Sequence, residues 1–331
     1  KKISHKVESR KVESASESII SSIYLAKDNK EFTLSSLFSS PDIAKQKFLS
    51  KIKQQLAVKG ISEEVINQNI INLRDQDMAT WKFNYNDSKF NINVESNKED
   101  INSVEIPVND LFKFIDETYL KGEDLEKYNE YIKKRSRKAV ALTFDDGPNP
   151  NTTPVALELL KKYNAKATFF MVGHAVAGNE NIIKQVVAEG HQIGNHSWSH
   201  PLLTKISLEQ AKSQINDTTE ALKKASGQDV HIMRPPYGGI NSAIQAAVDQ
   251  SFILWDIDTL DWKNRNTASI MKEVQKTQPG SIILMHDIHQ TSIDALPTVL
   301  QYLTDQGFEL VTVEELMGDQ LELHQKYTNR E

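Results

Sequence analysis

Cysteine is absent from this chain of 331 residues. Without it the protein cannot contain a disulfide framework, a thiolate nucleophile, or a zinc or iron–sulfur site with thiolate ligands. An excess of basic charge is also missing, because 45 acidic residues outnumber the 39 lysine and arginine residues and give a formal net charge of -6. This charge balance argues against a protein that binds the phosphates of a nucleic acid.

Long apolar runs are missing as well, since none approaches the roughly 20 residues of a membrane-spanning helix. The N-terminal segment Lys1–Ser18 is polar and lacks the apolar region of a secretory signal. We therefore expect any signal or anchor of the native protein to lie outside this chain. The G-x-x-x-x-G-K and G-x-S-x-G signatures are absent, so phosphate-binding loops and serine hydrolases lack support.

The length suits about two domains, and the character of the sequence changes near Lys138. Residues 1–120 predict a small α+β accessory domain, and the charged segment 121–137 predicts a solvated linker. The elements predicted before the linker are helices at 42–58 and 63–73 and extended runs at 19–26, 31–34, 81–85, 90–94 and 106–108.

From residue 138 to residue 331, short apolar strands alternate with amphipathic helices. Such alternation predicts a parallel sheet, either open or closed into a barrel. One predicted strand covers 252–257. A long helix is predicted over 207–225, where Ser207-x-x-Gln210 forms a capping box and Gly227 ends the helix.

Polar clusters fall at the ends of the predicted strands. They are Thr143–Pro148, His196–His200, Arg234–Gly238, Asp256–Trp262 and Leu284–Asp287. The carboxyl ends of parallel strands form the rim on which α/β proteins build their active sites. Five clusters at five strand ends therefore predict one functional site.

His196 and His200 are four residues apart, a spacing that allows both imidazoles to approach one metal ion. Asp146 offers an oxygen ligand on the same rim. Two histidines and one carboxylate leave positions open for water and substrate, as in catalytic rather than structural zinc sites. The sequence therefore predicts a divalent metal site at these three residues.

Asp145 and Asp146 are adjacent, so their side chains leave the strand end in different directions. One can bind the metal while the other takes a proton from water, whose pKa falls to about 7 on zinc. The alternative is a simple Asp-Asp-Gly-Pro turn, because these residue types favour turns.

His286 ends an apolar strand and is a candidate general acid, although an isolated histidine there could be a satisfied core group. A carboxylate partner would hold its ring and favour its protonated form. Asp261 is the first candidate for that partner, and Asp256 and Asp258 remain open.

Arg234 can orient Asp145 and keep it ionised through a charge-assisted contact, or it can form an ordinary surface ion pair. Tyr237 and Trp262 can line a sugar-binding groove, since aromatic faces pack on carbohydrate C–H groups. Partial core packing is the competing interpretation for both aromatic side chains.

Five motifs, in order, resemble those of the NodB-homology polysaccharide deacetylases, carbohydrate esterase family 4. They are Thr143-Phe-Asp-Asp-Gly-Pro, His196-Ser-Trp-Ser-His, Arg234-Pro-Pro-Tyr-Gly, Asp261-Trp262 and Leu284-Met-His286. The resemblance covers about residues 136–318. Within the family the chain is most similar to streptococcal-type peptidoglycan N-acetylglucosamine deacetylases, in which an extracellular region precedes the catalytic domain.

The resemblance implies a distorted (β/α) barrel. It also implies hydrolysis of the N-acetyl group of N-acetylglucosamine residues in peptidoglycan, which yields a free amine and acetate. One divalent metal ion, Zn²⁺ or Co²⁺, is implied at Asp146, His196 and His200.

The resemblance also assigns roles to single residues. Asp145 is the implied general base, held by Arg234, and His286 is the implied general acid, tuned by Asp261. The backbone N–H of Tyr237 is implied to stabilise the oxyanion together with the metal, which is usually the largest contribution in acyl transfer.

Trp262 and Leu284 are implied to form the pocket that receives the acetyl methyl group. Substrate choice lies in loops, so chitin oligomers, poly-N-acetylglucosamine and acetylxylan remain alternative polymers. A wall-binding or sensor protein without catalysis is an alternative of another class, against which the intact Asp145 and His286 argue.

The segment 32–38, the helix after it and the runs 90–94 and 106–108 resemble the extracellular domain of lysozyme-sensing anti-sigma factors. That likeness implies at most a module that positions the protein on the wall or on a partner. We expect an extracellular protein at the surface or wall of a Gram-positive bacterium, with a wall polysaccharide as substrate and without a nucleic-acid partner.

Overall fold

The computed structural model describes residues 24–25, 31–96 and 101–330 of the chain. Most of the extended run predicted at 19–26 therefore lies outside the described residues. The chain divides into two compact units between Lys133 and Lys134. The predicted domain boundaries at residues 120 and 138 stay a prediction, and a helix fills most of the predicted linker. Within the described residues, no helix is long and apolar enough to cross a membrane.

The first unit contains a three-stranded antiparallel sheet and two long helices. Its elements are β1 (Tyr24–Leu25), β2 (Glu31–Phe32), α1 (Pro41–Val58), α2 (Glu63–Asp75), β3 (Phe83–Asn86), β4 (Lys89–Asn93), β5 (Ser103–Pro107) and α3 (Gly122–Ser136), which runs across the division between the units. The predicted helices are confirmed, and the extended runs predicted at 81–85 and 90–94 form a hairpin of β3 and β4. Phe48 is fully buried, with its ring 6.0 Å from that of Trp81 and 5.7 Å from that of Phe90.

The second unit alternates strands and helices, as the sequence predicts. Its strands are β6 (Ala139–Asp145), β7 (Ala167–Met171), β8 (Gln192–Asn195), β9 (Ile232–Met233), β10 (Ser251–Ile253), β11 (Ile257–Asp258), β12 (Ile282–His286), β13 (Glu309–Leu310) and β14 (Lys326–Tyr327). Its helices are α4 (Thr153–Lys162), α5 (Glu180–Ala188), α6 (Leu208–Ser226), α7 (Ser242–Ala247), α8 (Asp261–Asn264), α9 (Thr267–Val274), α10 (Gln290–Asp305) and α11 (Val313–Met317).

The nine strands form one curled, parallel half-barrel sheet. Its order is β11-β12-β6-β7-β8-β9-β10-β14, and β13 pairs with β6. Every residue of β6 is buried, because this central strand is covered on both faces. This sheet confirms the predicted fold class.

The helix predicted after residue 207 shows how local sequence sets an element. The Ser207 hydroxyl accepts a hydrogen bond from the Gln210 backbone N–H, and the Gln210 side chain accepts one from the Ser207 backbone N–H. At the other end Gly227 has a φ of 72°, a left-handed conformation that glycine adopts without a steric penalty.

The single strand predicted over 252–257 is wrong. The run contains the end of β10 and the start of β11, and these two strands lie towards opposite edges of the sheet. Between them the Leu254 carbonyl oxygen accepts a hydrogen bond from Arg234. The Asp256 N–H already pairs with the carbonyl oxygen of Ile282, the first residue of β12. A continuous apolar run does not show where the chain leaves one partner strand for another.

Candidate active site

The strand ends converge as predicted. Asp145 and His286 are the last residues of the neighbouring strands β6 and β12, and they are opposite each other in the register. His196 follows β8 directly, and Arg234 follows β9 directly. Because all these strands are parallel, their carboxyl ends meet at the same rim.

Asp146, His196 and His200 form a candidate metal site, with one ligand atom from each residue within 4.8 Å of the others. Asp146 Oδ1 lies 3.3 Å from His196 Nε2 and 3.4 Å from His200 Nε2. Two tetrahedral ligands that each lie about 2.1 Å from zinc stand about 3.4 Å apart. The observed spacings therefore suit a tetrahedrally bound divalent metal ion.

Two further observations fit a metal ion at this site. Asp146 Oδ1 is buried and has no hydrogen-bond partner among the described residues, a costly state for a carboxylate oxygen without a cation. His196 Nδ1 lies 2.6 Å from the Arg234 carbonyl oxygen, which can only accept a hydrogen bond. His196 therefore carries its proton on Nδ1 and presents the lone pair of Nε2.

The backbone around these ligands adopts conformations that are uncommon for residues with a side chain. The φ angle is positive at Asp146 (78°), Ser197 (65°) and His200 (60°). The Ser197 hydroxyl accepts a hydrogen bond from the His200 N–H at 3.1 Å and so supports this loop. Such strain concentrates at functional sites, where the surrounding structure holds it in place.

Asp145 is held by a fully buried arginine. Arg234 Nη1 donates to Asp145 Oδ1 at 2.8 Å and to the Thr143 hydroxyl at 2.6 Å. Its Nε and Nη2 donate to the carbonyl oxygens of Ile253 and Leu254. Asp145 Oδ2 lies 3.5 Å from His196 Nε2, so this carboxylate borders the candidate metal site.

The guanidinium of Arg234 also packs on aromatic rings. Its carbon Cζ is 4.3 Å from the centre of the Phe170 ring and 5.6 Å from that of Trp255. Burial lowers the pKa of Arg234 from its usual value, although the charge of the neighbouring Asp145 opposes this shift.

His286 pairs with Asp261 on the other side of the site. His286 Nδ1 lies 2.8 Å from Asp261 Oδ1, and the His286 backbone N–H donates to Asp261 Oδ2 at 2.8 Å. The two alternatives from the sequence are engaged elsewhere. Asp256 accepts hydrogen bonds from Ser281 and from the Ile282 N–H, and Asp258 accepts one from the Leu260 N–H.

Burial and neighbouring residues shift the pKa values of the titratable groups of the site. Burial lowers the pKa of His286, but the hydrogen bond and charge of Asp261 outweigh burial and raise this pKa to about 9. Burial raises the pKa of Asp146, but the charges of the nearby imidazoles of His196, His286 and His200 lower it to about 2. The pKa of His200 falls because the ring is partly buried and lies beside His196.

The three predicted substrate-contacting residues lie on segments of the same rim. The Tyr237 side chain is 71% exposed and packs against His200, with ring centres 4.7 Å apart. Trp262 is 47% exposed, and its backbone N–H donates to Asp261. Leu284 is buried two residues before His286. Their contacts with a substrate stay a prediction.

Four polar residues around the site escaped the sequence interpretation. Thr143 bridges Arg234 and the Ile283 carbonyl oxygen, and Ser292 donates to Asp261 at 2.6 Å. Thr153 and Asp287 form a buried hydrogen bond, and burial raises the pKa of Asp287 to about 7. Thr143 and Asp287 lie inside the polar clusters recognised in the sequence, so their positions could have indicated a role at the site. Ser292 and Thr153 lie on helices, where no sequence pattern indicates such a role.

Family models match both units. A model described as the peptidoglycan GlcNAc deacetylase N-terminal domain matches residues 1–129, and a model described as polysaccharide deacetylase matches residues 132–251. Among solved structures, peptidoglycan deacetylase PdaC from Bacillus subtilis has 47% sequence identity and a TM-score of 0.54. That match covers 55% of this chain and 91% of the solved one.

Curated relatives agree with these matches. Peptidoglycan-N-acetylglucosamine deacetylase PgdA of Listeria monocytogenes is 40% identical over 228 residues, which are 69% of this chain and 48% of that protein. Peptidoglycan-N-acetylmuramic acid deacetylase PdaC of Bacillus subtilis is 47% identical over 182 residues, 55% of this chain and 39% of that protein. A peptidoglycan-N-acetylglucosamine deacetylase of Bacillus cereus is 40% identical over 198 residues, 57% of this chain and 72% of that protein.

The half-barrel sheet and the polar rim are those of a carbohydrate esterase family 4 domain. The chain belongs to the polysaccharide deacetylase family, as its five motifs indicated. It spans half or less of the lengths of the first two relatives.

Proposed function

We propose that this protein is a metal-dependent hydrolase that removes the N-acetyl group from N-acetylglucosamine residues of peptidoglycan. One observation carries the proposal, namely that the candidate metal site lies between an arginine-bound carboxylate and a carboxylate-bound histidine. Its ligand atom His196 Nε2 is 3.5 Å from Asp145 Oδ2, and Asp146 Oδ2 is 3.9 Å from His286 Nε2. Amide hydrolysis needs such a pair, because one group must remove a proton and another must supply one.

Asp146, His196 and His200 would hold the ion, and Zn²⁺ suits two imidazoles and one carboxylate. A zinc ion there supplies a water molecule of lowered pKa and a Lewis acid for the carbonyl oxygen of the acetamide. Co²⁺ is the second candidate.

Asp145 is the proposed general base. Its Oδ1 is engaged by Arg234, which orients the carboxylate and leaves Oδ2 to accept the proton of the attacking water. The oxygen of that water forms the new bond to the acetyl carbon. The backbone N–H of Tyr237 is the proposed donor to the oxyanion that develops on the carbonyl oxygen.

His286 is the proposed general acid. Asp261 accepts a hydrogen bond from His286 Nδ1, so the protonated ring of His286 offers its Nε2 proton towards the site. When the C–N bond breaks, this proton goes to the leaving nitrogen, which departs as the free amine of the sugar, and the acetyl group departs as acetate. Trp262 and Leu284 are the proposed walls of the acetyl pocket.

N-acetylmuramic acid in the same polymer is a second candidate substrate. The 47% identity to a muramic acid deacetylase covers 55% of this chain. The two sugars carry the same acetamide, so the chemistry of the site fits both. Contacts around Tyr237 and Trp262 would decide between them.

Location and domain roles follow from the proposed substrate. An enzyme acting on peptidoglycan works at the cell wall, outside the membrane, and we propose a Gram-positive wall. Residues 138–331 would be the catalytic domain and residues 1–120 an accessory domain that positions it, joined by the segment 121–137. The match of residues 1–129 to an N-terminal deacetylase domain supports an accessory role.

The test is to incubate zinc-loaded protein with purified peptidoglycan, chitin oligomers and acetylxylan and to measure acetate. Muramidase digestion and mass spectrometry of the peptidoglycan then show which sugar lost its acetyl group. We expect loss from N-acetylglucosamine. Loss confined to muramic acid would favour the second candidate, and release from acetylxylan alone would overturn the proposal.

A further inference from the structure

Asp287 is a buried carboxyl group that the proposed mechanism leaves unused. It follows His286 directly, and only 1% of its surface is exposed. Its Oδ2 accepts a hydrogen bond from the Thr153 hydroxyl at 2.5 Å. Its Oδ1 is buried and has no hydrogen-bond partner among the described residues.

The Asp287 carboxyl lies against the backbone of the loop that carries the metal ligand Asp146. A Cβ atom added to Gly147 would stand 2.7 Å from Asp287 Oδ2 and 2.8 Å from Oδ1, a distance that real Cβ contacts do not reach. A side chain at the residue after Asp146 would therefore force the buried Asp287 carboxyl to move.

The same loop is also connected to Asp287 by hydrogen bonds through the Thr153 hydroxyl. The Asn149 N–H donates to the Thr153 hydroxyl at 2.8 Å, and that hydroxyl donates to Asp287. On its other side the loop is fixed to the end of β7, since the Gly147 carbonyl oxygen accepts from the Val172 N–H at 2.9 Å. Asp287 thus contacts the loop directly at Gly147 and, through one hydroxyl, at Asn149.

We propose that Asp287 is a positioning residue that fixes the loop of Asp146 and Gly147 against the strand that carries His286. Because Asp287 and His286 are consecutive, any shift of the loop relative to Asp287 is also a shift of the metal ligand Asp146 relative to the acid. A displacement of about 1 Å costs roughly 100-fold in rate when groups must be aligned. This inference rests on the proposed function for its kinetic readout, whereas its metal-binding readout is independent of catalysis.

The test compares Asp287→Ala with wild type and with Asp294→Ala, which removes an exposed carboxylate from the following helix α10. Zinc affinity is measured on metal-free protein by competition with a chelating indicator, beside kcat, KM and the unfolding temperature. Removing the partner that orients a metal ligand typically costs roughly 10- to 100-fold in affinity or activity. We expect losses of that size in zinc affinity and kcat for Asp287→Ala, unchanged KM, and no loss for Asp294→Ala.

Milder variants keep the proposal testable if Asp287→Ala does not fold. Thr153→Val removes the bridging hydroxyl, and Thr153→Ser restores it. We expect Thr153→Val to lower kcat and zinc affinity, Thr153→Ser to recover both to within about threefold, and Asp287→Asn, which keeps the shape and an acceptor, to retain most of both. The losses of Thr153→Val and Asp287→Ala should be less than additive in the double variant, because they break the same connection.

The proposal is overturned if folded Asp287→Ala or Thr153→Val loses only thermal stability while zinc affinity and kcat stay at the wild-type values. It is also overturned if Thr153→Ser fails to recover what Thr153→Val loses. Failure of the proposed function has a different signature. In that case wild-type protein releases no acetate from any polymer, and the zinc affinities of the variants still decide whether Asp287 positions the loop.

Discussion

Two histidines on one rim are prepared for different tasks by what contacts their Nδ1 atoms. His196 faces a backbone carbonyl oxygen, which fixes the neutral tautomer and leaves Nε2 free as a metal ligand. His286 faces the carboxylate of Asp261, which stabilises the imidazolium form. Two side chains of the same type are therefore suited to different roles, His196 to that of a metal ligand and His286 to that of the proposed acid. The amino-acid composition alone could not distinguish these roles.

The Asp261–His286 pair makes the stability of the metal-free protein depend on pH. The pKa of His286 is raised to about 9 from its usual 6.5, so the pair's stabilisation is fully present below pH 6.5 and is lost as pH rises through 9. That shift corresponds to a free energy on the order of 3 kcal/mol. We expect the difference in unfolding free energy between wild type and His286→Gln to shrink from about pH 6 to about pH 10. An equal difference at both pH values, measured by urea denaturation, would show that the pair does not act this way.

Asp145→Asn should separate catalysis from metal binding. Arg234 can still donate to the amide oxygen of the substituted side chain, so the fold and the zinc site should persist. The proton acceptor is lost, and general-base catalysis typically contributes roughly 100- to 10,000-fold in rate. Acetate release should therefore fall by that factor while zinc content, measured by elemental analysis, stays the same. Retained activity would remove Asp145 from the role of base.

His200→Ala should affect metal binding first. The variant removes one of the three candidate ligands, whose Nε2 lies 3.4 Å from Asp146 Oδ1. We expect zinc affinity to fall by more than about 100-fold, since even the partners of metal ligands are worth up to that much. The rate constant kcat should fall at low zinc and recover in part at high zinc. An unchanged zinc content would exclude His200 as a ligand.

Strand β8 contains a glycine, Gly194, whose missing side chain leaves room for a ring that supports the site. Gly194 lies opposite Phe170 in the register, and the Phe170 ring occupies the space where a Cβ atom would stand, at 2.4 Å. The same ring packs against Arg234, whose Cζ lies 4.3 Å from the ring centre and whose Nη1 holds Asp145. A glycine in a buried strand is therefore connected to the proposed base through one aromatic ring and one guanidinium.

Gly194→Ala tests this connection. The added methyl group must displace the Phe170 ring, and overpacking of a core typically costs about 1–3 kcal/mol. We expect a lower kcat as well, because Arg234 moves with the ring. Gly178→Ala is the control, since a Cβ there meets nothing within 4 Å and the positive φ of 85° costs about 1 kcal/mol without touching the site. A stability loss with unchanged kcat in Gly194→Ala would contradict the connection.

The elements show what a sequence can and cannot predict. Periodicity identified β6, β12 and α6 because each is long or strongly patterned. It failed at the join of β10 and β11, where an apolar run spans two strands, and it missed β14, whose two residues are too few to form a pattern. The site was predictable as a set of strand ends, but the contacts of Asp287 and Ser292 depend on packing between distant segments and have no signature along the chain.

At the scale of the whole molecule, the described residues contain one candidate metal cluster of three histidine or acidic side chains. It lies in the second unit, and the chain has no cysteine that could offer a competing thiolate site. Metal removal should therefore report on this site. The role of the first unit stays a prediction, and deacetylation by the second unit is the central claim.

The most direct test of that claim is acetate release from purified peptidoglycan by metal-free protein, by the same protein reloaded with zinc, and by reloaded Asp145→Asn. We predict no release without metal, full release after reloading, and a loss of roughly 100-fold or more in the variant. Release that is equal with and without metal, or equal in wild type and Asp145→Asn, would contradict a metal-dependent deacetylase at this rim.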